Sequence, residues 1–162
     1  MRLGLDMDGT IADGRFLPPP RTRDVYMGLA PYDNNTVDIL TDIIHEHEVF
    51  IITARSEDRA DRMIRDWFDI YNIPQPTGII TNPHIGSHNT ENAIWKHRVL
   101  VALGAKVMFD DSHTVWARQY AGGVETLLVD NPYWEDNQKV VSEIRLKSWK
   151  EISERIHHIK SR

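Results

Sequence analysis

The sequence predicts a three-layer α/β/α sandwich built around a central parallel sheet, and three observations predict it. Short apolar runs rich in Val, Ile and Leu alternate along the chain with amphipathic stretches of helical period. All connections between them but one are short. The composition, 41% apolar and 27% charged over 162 residues, suits one globular domain with a core of its own.

Taken in order, Arg2 to Asp6 reads as a strand that breaks at once into Gly9 and a polar turn, as a buried strand of a parallel sheet ends. Thr10 to Leu17 carries the pair Asp13-Gly14 between short apolar flanks, a hairpin signature that fits a small flap over the strand end. Pro18-Pro19-Pro20, followed by Arg21, Thr22 and Arg23, makes a stiff loop, because proline removes donors and restricts its predecessor. The expectation is a single domain over 1–162, with 13–34 as a flap or short insertion. From Asn35 or Thr36 to His47, Val37, Leu40, Ile43 and Ile44 share one helical face, and Glu48 to Thr53 is the second strand. Arg59 to Tyr71 is a helix burying Met63, Ile64, Trp67 and Phe68, Gly78 to Thr81 a third strand, and Asn82 to Asn89 a polar loop. Glu91 to Leu103 is a helix ending before Gly104, Lys106 to Asp110 the fourth strand, Ser112 to Tyr120 a helix and Val124 to Val129 the fifth strand. Ser148 and Glu151 form a capping box for a last helix reaching about Ile159. Helices of this length between strands imply right-handed crossovers and helices on both faces of the sheet.

Composition also excludes several classes. Without cysteine the chain has neither a disulfide framework nor a thiolate zinc site. MRLGLDMDGT lacks the apolar core of a signal peptide and the roughly 20 apolar residues of a membrane span, so a cytoplasmic protein without membrane contact is expected. A formal net charge of -5 argues against non-specific coating of nucleic acid, which needs many basic side chains, while leaving room for a local basic loop.

In open parallel sheets, ligands bind beyond the carboxyl ends of the strands. The first strand ends in Asp6-Met7-Asp8-Gly9-Thr10, the second in Ile51-Ile52-Thr53 and the fourth in Phe109-Asp110-Asp111, with Lys96 on the helix entering the fourth. Four carboxylates converging on one spot repel one another unless a cation or proton offsets them. Magnesium prefers oxygen ligands and takes one or two carboxylates plus a substrate phosphate, which suits Asp6, Asp110 and Asp111. Asp6 is then placed to attack phosphorus and form an aspartyl phosphate. Asp8 would protonate the leaving oxygen and later deprotonate the hydrolytic water, and Thr53 and Lys96 would hold the phosphoryl oxygens.

Together DMDGT at Asp6 to Thr10, IITAR at Ile51 to Arg55, Lys96, and FDD at Phe109 to Asp111 resemble the haloacid dehalogenase superfamily, over roughly residues 2 to 130. The resemblance implies a Rossmann-like sheet with the first strand central, the second and third to one side and the fourth and fifth to the other. It implies Asp6 as nucleophile, Asp8 as acid and base, and Mg2+ on Asp6, the Asp8 main-chain carbonyl and Asp110 or Asp111. Members acting on carbon-halogen or phosphonate bonds usually lack an acid in the place of Asp8, so the chain looks like a phosphatase.

Family members often insert a cap between the first two motifs, yet only 47 positions separate Asp6 from Thr53, so a minimal cap or none is expected. An open site admits a large substrate. The motif spacing, Pro31 to Asp33 and Trp95 to His97 look similar to the 3'-phosphatase domain of polynucleotide kinase-phosphatases, and the chain also resembles deoxyribonucleotidases. No Gly-x-x-x-x-Gly-Lys-Ser/Thr loop occurs, so no companion kinase is encoded here. The expected substrate is a nucleotide or a 3'-phosphorylated nucleic-acid end. A small metabolite or a phosphoprotein is the alternative, and a catalytically silent binding protein on the same fold is the alternative of another class. Arg15, Arg21, Arg23 and Arg55 are candidates for additional phosphate contacts, set against a solvated loop.

Blander readings stand beside these. Thr53 alone caps a helix, Lys96 alone is a surface charge, and Asp111 is a helix N-terminal carboxylate if it is not a metal ligand. His84 and His88 are four apart, but Pro83 and Gly86 disfavour the helix that a zinc pair needs. His157 and His158 read as exposed. Trp67, Phe68, Trp95 and Trp116 read as core, and Tyr133 and Trp134 as the better candidates for stacking on a base. Oligomeric state is not legible.

Overall fold

The computed structural model describes residues 1–13, 26–56, 58–83 and 89–161. Its framework is a six-stranded, all-parallel sheet in the order β3-β2-β1-β4-β5-β6. The strands are β1 (Arg2–Leu5), β2 (Glu48–Thr53), β3 (Gly78–Thr81), β4 (Val107–Asp110), β5 (Glu125–Val129) and β6 (Arg145–Leu146). The helices are α1 (Thr36–Glu46), α2 (Ala60–Ile70), α3 (Asn89–Leu103), α4 (His113–Ala121) and α5 (Trp149–Lys160). The strands are parallel, as expected from the alternation of elements, and the first is central, as the family resemblance implies.

Alternation along each strand splits the side chains between two layers. Leu3, Leu5, Val49, Ile51, Val107, Phe109 and Val129 face the larger core, which they form with Leu40 and Ile43 of α1, Ile64, Trp67 and Phe68 of α2, and Trp149, Ile152 and Ile156 of α5. Ile52 and Met108 face the opposite way, joining Leu100 of α3 in a smaller core against which Trp95 and Val99 pack. Burying a side chain the size of Leu or Phe is worth about 1.5–3 kcal/mol, so the larger cluster carries most of the apolar stabilisation.

The last helix is tied in by more than apolar contact. Asp33 accepts from Asn35 N and Thr36 Oγ1 at the start of α1, and through its other oxygen from Trp149 N at the start of α5. Ser148 Oγ accepts from Glu151 N at 3.2 Å, and Glu151 reaches back to Lys147 N at 2.7 Å, so the capping box closes one residue earlier than its usual form.

Several details depart from the sequence reading. β6 and the two 3-10 turns at Asn137–Lys139 and Ser142–Ile144 were not expected, because two- and three-residue elements carry no periodicity. Helix α3 begins at Asn89, two residues before the expected Glu91. Trp116 is not core: it lies half-buried on α4 between His113 and Tyr120, with ring centroids 5.8 Å away on either side and Tyr120 72% exposed. Trp95 is likewise half-buried, at the edge of the smaller core. Most of the expected hairpin and the three prolines lie outside the described residues. On either side of that gap, Asp13 N donates to Ala30 O at 2.7 Å and Tyr32 N to Ile11 O at 2.8 Å, so the two ends of the segment run side by side.

Candidate active site

Three neighbouring strands end on polar residues at the same edge of the sheet. Leu5 is in register with both Ile51 and Phe109, so Asp110 stands level with Asp6, and Thr53 level with the loop that follows Asp6. Asp6 N donates to Phe109 O at 2.9 Å, which fixes the first residue beyond β1 against β4. The chain then curls around Met7, whose carbonyl accepts from Ile11 N and Ala12 N at 3.0 Å each while its side chain is fully buried. This tight curl needs Gly9 at φ +80°, and a Cβ there would overlap Asp111 Oδ2.

Lys96 on α3 reaches under this edge and donates to Asp6 Oδ1 at 2.8 Å and to Asp110 Oδ2 at 2.6 Å. All three side chains are buried, as is Asp111. One carboxylate oxygen from each of Asp6, Asp110 and Asp111 lies within 4.8 Å of the others. Three carboxylates thus face one ammonium. Burial pushes the Asp6 carboxyl up to about 7, with Lys96 pulling it back and the Asp110 charge adding to the rise. Asp111 is held well above the usual carboxylate range, by burial first and by the charges of Asp6 and Asp110 next. For Lys96, burial alone would lower the ammonium, but the attraction of Asp110 and Asp6 outweighs it and the group stays protonated above its ordinary value.

A cluster so rich in hard oxygen and short of positive charge fits a divalent cation. Magnesium binds oxygen at about 2.1 Å in an octahedron, so its ligands stand no more than roughly 4 Å apart, a separation compatible with oxygens that lie within 4.8 Å of one another. Asp6, Asp110 and Asp111 are the side chains able to hold it.

Asp8 and Thr53 form a second group. Arg55 clamps Asp8 through Nε at 2.7 Å and a terminal nitrogen at 3.2 Å, and its guanidinium lies 4.4 Å above the Tyr26 ring. Thr53 Oγ1 accepts from Arg55 N at 3.2 Å. Of the ten site residues expected from sequence, Asp6, Lys96, Asp110 and Asp111 share one cluster, while Asp8, Thr53 and Arg55 are linked to each other beside it. Arg15, Arg21 and Arg23 lie outside the described residues, as do His84 and His88. His157 and His158 are exposed, Tyr133 is exposed and Trp134 half-buried.

Sequence reasoning missed a polar bracket after β5. Asn131 Nδ2 donates to Asp111 Oδ2 at 2.8 Å. Asn137 Nδ2 donates to Asp111 O and Val129 O, both at 2.7 Å, while its Oδ1 accepts from Asn131 N at 2.9 Å. Asp136 accepts from Ser112 Oγ at 3.1 Å and from Thr114 N and Oγ1 at 3.1 and 2.9 Å, pinning the start of α4. The signal was available: β5 is also a parallel strand whose carboxyl end opens on the same edge, and Asp130-Asn131-Pro132 is its polar exit. Tyr26 had no such signal, since its role depends on the return of the loop.

No protein-family model and no curated protein matches the chain. Solved structures do match in fold. A haloacid dehalogenase-like hydrolase from Streptococcus pneumoniae superposes with a TM-score of 0.63 at 13% identity, covering 96% of this chain and 97% of that one. A HAD-superfamily hydrolase of subfamily IA, variant 1, from Geobacter sulfurreducens gives 0.62 at 14% identity, over 94% and 97%. A chain in the structure of the Pnkp1/Rnl/Hen1 RNA repair complex gives 0.62 at 12% identity, covering 78% of this chain and 41% of that one. The match therefore spans about two fifths of the length of that last neighbour. With β1 central in a parallel sheet and helices on both faces, the chain carries the Rossmann-like fold of the haloacid dehalogenase superfamily hydrolases.

Proposed function

We propose that the chain is a magnesium-dependent phosphomonoester hydrolase acting through an aspartyl-phosphate intermediate on Asp6. The observation that carries the reading is the convergence of Asp6, Asp110 and Asp111 within 4.8 Å around the Lys96 ammonium. Asp6, Asp110, Asp111 and the Asp8 main-chain carbonyl would hold Mg2+, which would neutralise charge on the transferring phosphoryl group.

The remaining work falls to the protein. Asp6 attacks phosphorus as the bond to the leaving oxygen breaks, and Asp8 gives that oxygen its proton. Asp8 then takes a proton from water as the water cleaves the acyl phosphate and frees Asp6. Lys96 and Thr53 hold phosphoryl oxygens, and Arg55 exchanges one of its bonds to Asp8 for a substrate oxygen, which releases Asp8 toward the leaving group. For substrate we favour a nucleotide or a 3'-phosphorylated nucleic-acid end. A short segment between the first two motifs and the fold likeness to a chain of an RNA repair complex support it.

In the test, wild-type protein with Mg2+ is given an aryl phosphate, then nucleoside 5'-monophosphates, 3'-phosphorylated oligonucleotides and sugar phosphates. Turnover is expected, greatest on one of the two nucleotide classes, and Asp6→Asn should drop it below detection with the circular dichroism spectrum unchanged. Full activity in that variant, or silence of the wild type on every ester, ends the reading. A preference for sugar phosphates ends only the substrate assignment.

A further inference from the structure

Asp111 has no direct bond to Lys96, which spends its contacts on Asp6 and Asp110. Its side chain is held instead by Asn131, whose Nδ2 donates to Asp111 Oδ2 at 2.8 Å. That bond fixes which way the amide faces, since only the nitrogen can donate to a carboxylate. Asn131 is 5% exposed, yet its Oδ1 has no hydrogen-bond partner among the described residues. A buried acceptor left without a donor loses its hydration and gains nothing in return, so such a group asks for a partner that belongs there.

The place of the amide says what that partner is. It lies against the carboxylate cluster and beside Gly9, where a Cβ would stand 3.3 Å from Asn131 Nδ2 and overlap Asp111. Magnesium dehydrates reluctantly and keeps several waters, and each of those waters is a strong donor seeking an acceptor. The neighbouring segment holds Asn131 rigidly, because Asn137 Oδ1 takes the Asn131 N–H and Asn137 Nδ2 takes the Asp111 carbonyl.

Resting on the metal-dependent reading above, we propose that Asn131 is a positioning residue of the cation site: its amide nitrogen sets the Asp111 carboxylate, and its buried carbonyl oxygen accepts from a water in the ion's hydration shell. The post-β5 bracket is thereby part of the metal centre and not only a clasp on α4. Outer-shell partners of this kind change metal affinity by about 10–100-fold when removed.

The experiment uses the full chain. Mg2+ is titrated calorimetrically into metal-stripped wild type, Asn131→Ala and Asn131→Ser, and the Mg2+ dependence of kcat is measured on an aryl phosphate. Both variants remove the donor and the acceptor, and serine is too short to reach Asp111. The expected result is a Mg2+ affinity about 10–100-fold weaker in each folded variant, with kcat recovering as Mg2+ is raised and KM for the ester little changed. If alanine fails to fold, the serine variant decides alone, and thermal unfolding with and without Mg2+ gives the same affinity difference should both fold poorly. Unchanged Mg2+ affinity in a folded variant, or a loss of kcat that saturating Mg2+ does not restore, overturns the role given to Asn131. A wild type that neither binds Mg2+ nor turns over the ester fails the phosphatase reading itself, a result separate from either.

Discussion

At the scale of single residues the candidate site is a problem in charge crowding, met by a donor for every carboxylate. Lys96 serves Asp6 and Asp110, Asn131 serves Asp111, and Arg55 serves Asp8. Gly9 makes this possible by leaving room for Asp111, and its φ of +80° is one that side chains rarely adopt. Gly9→Ala is therefore expected to lower stability by about 1–2 kcal/mol through backbone strain alone, and to weaken Mg2+ binding further because Asp111 must move. Urea unfolding and a Mg2+ titration of the variant check both, and a wild-type result in both would remove the constraint assigned to Gly9. Asp6, Thr53 and Asp110 were legible in the sequence because they stand at the ends of strands, where a polar residue after an apolar run stands out. Asn131, Asp136 and Asn137 act through hydrogen bonds to partners 20 to 26 positions away, and no local pattern announces those.

Among the elements, α5 has a role that its sequence conceals. Its capping box and apolar face were readable, but not where it docks. Trp149 is fully buried, and its indole N–H donates to Thr10 O at 2.9 Å, inside the loop that starts at Asp6. The last helix thus braces the first motif across 139 positions of sequence. Trp149→Phe keeps most of the apolar bulk but leaves a buried carbonyl without its donor, so a loss of about 1–3 kcal/mol is expected, together with a fall in kcat as the loop slackens. Ser148→Ala should cost about 1 kcal/mol of stability through the lost cap and leave kcat alone, since the hydrogen bond of Ser148 Oγ goes to the helix start. Denaturant midpoints and aryl-phosphate kinetics on the pair separate bracing from general stability. Equal effects on kcat would show that α5 matters only for folding. The strands and the long helices were read to within one or two residues because apolar runs of the right length are bounded by polar and glycine-containing turns; β6 is too short to form such a run.

For the molecule as a whole, the buried acidic cluster sets how stability, pH and metal are linked. Asp6 has its carboxyl raised from the ordinary 3.8 to about 7, so between those values the folded chain holds a proton that the unfolded chain has released. Stability from this group is then full below the unfolded value and is lost as pH rises through the folded one. Asp111, also raised, adds a slope of the same sign. His47 opposes it: burial, then the nearby chain terminus, lower its imidazole, so it contributes stability above its ordinary 6.5 that is lost as pH falls. These contributions separate by their response to the ion, since His47 takes no part in the carboxylate cluster. On the proposed metal-dependent reading a cation displaces the proton from Asp6, so the rise in unfolding temperature produced by Mg2+ should grow from about pH 5 to about pH 7.5, and calorimetry should detect protons released on binding in the lower half of that range. In Asp6→Asn the proton release should shrink, because one of the protonated ligands is gone. A Mg2+ effect independent of pH, with no protons released, would mean that the ion binds somewhere other than among Asp6, Asp110 and Asp111.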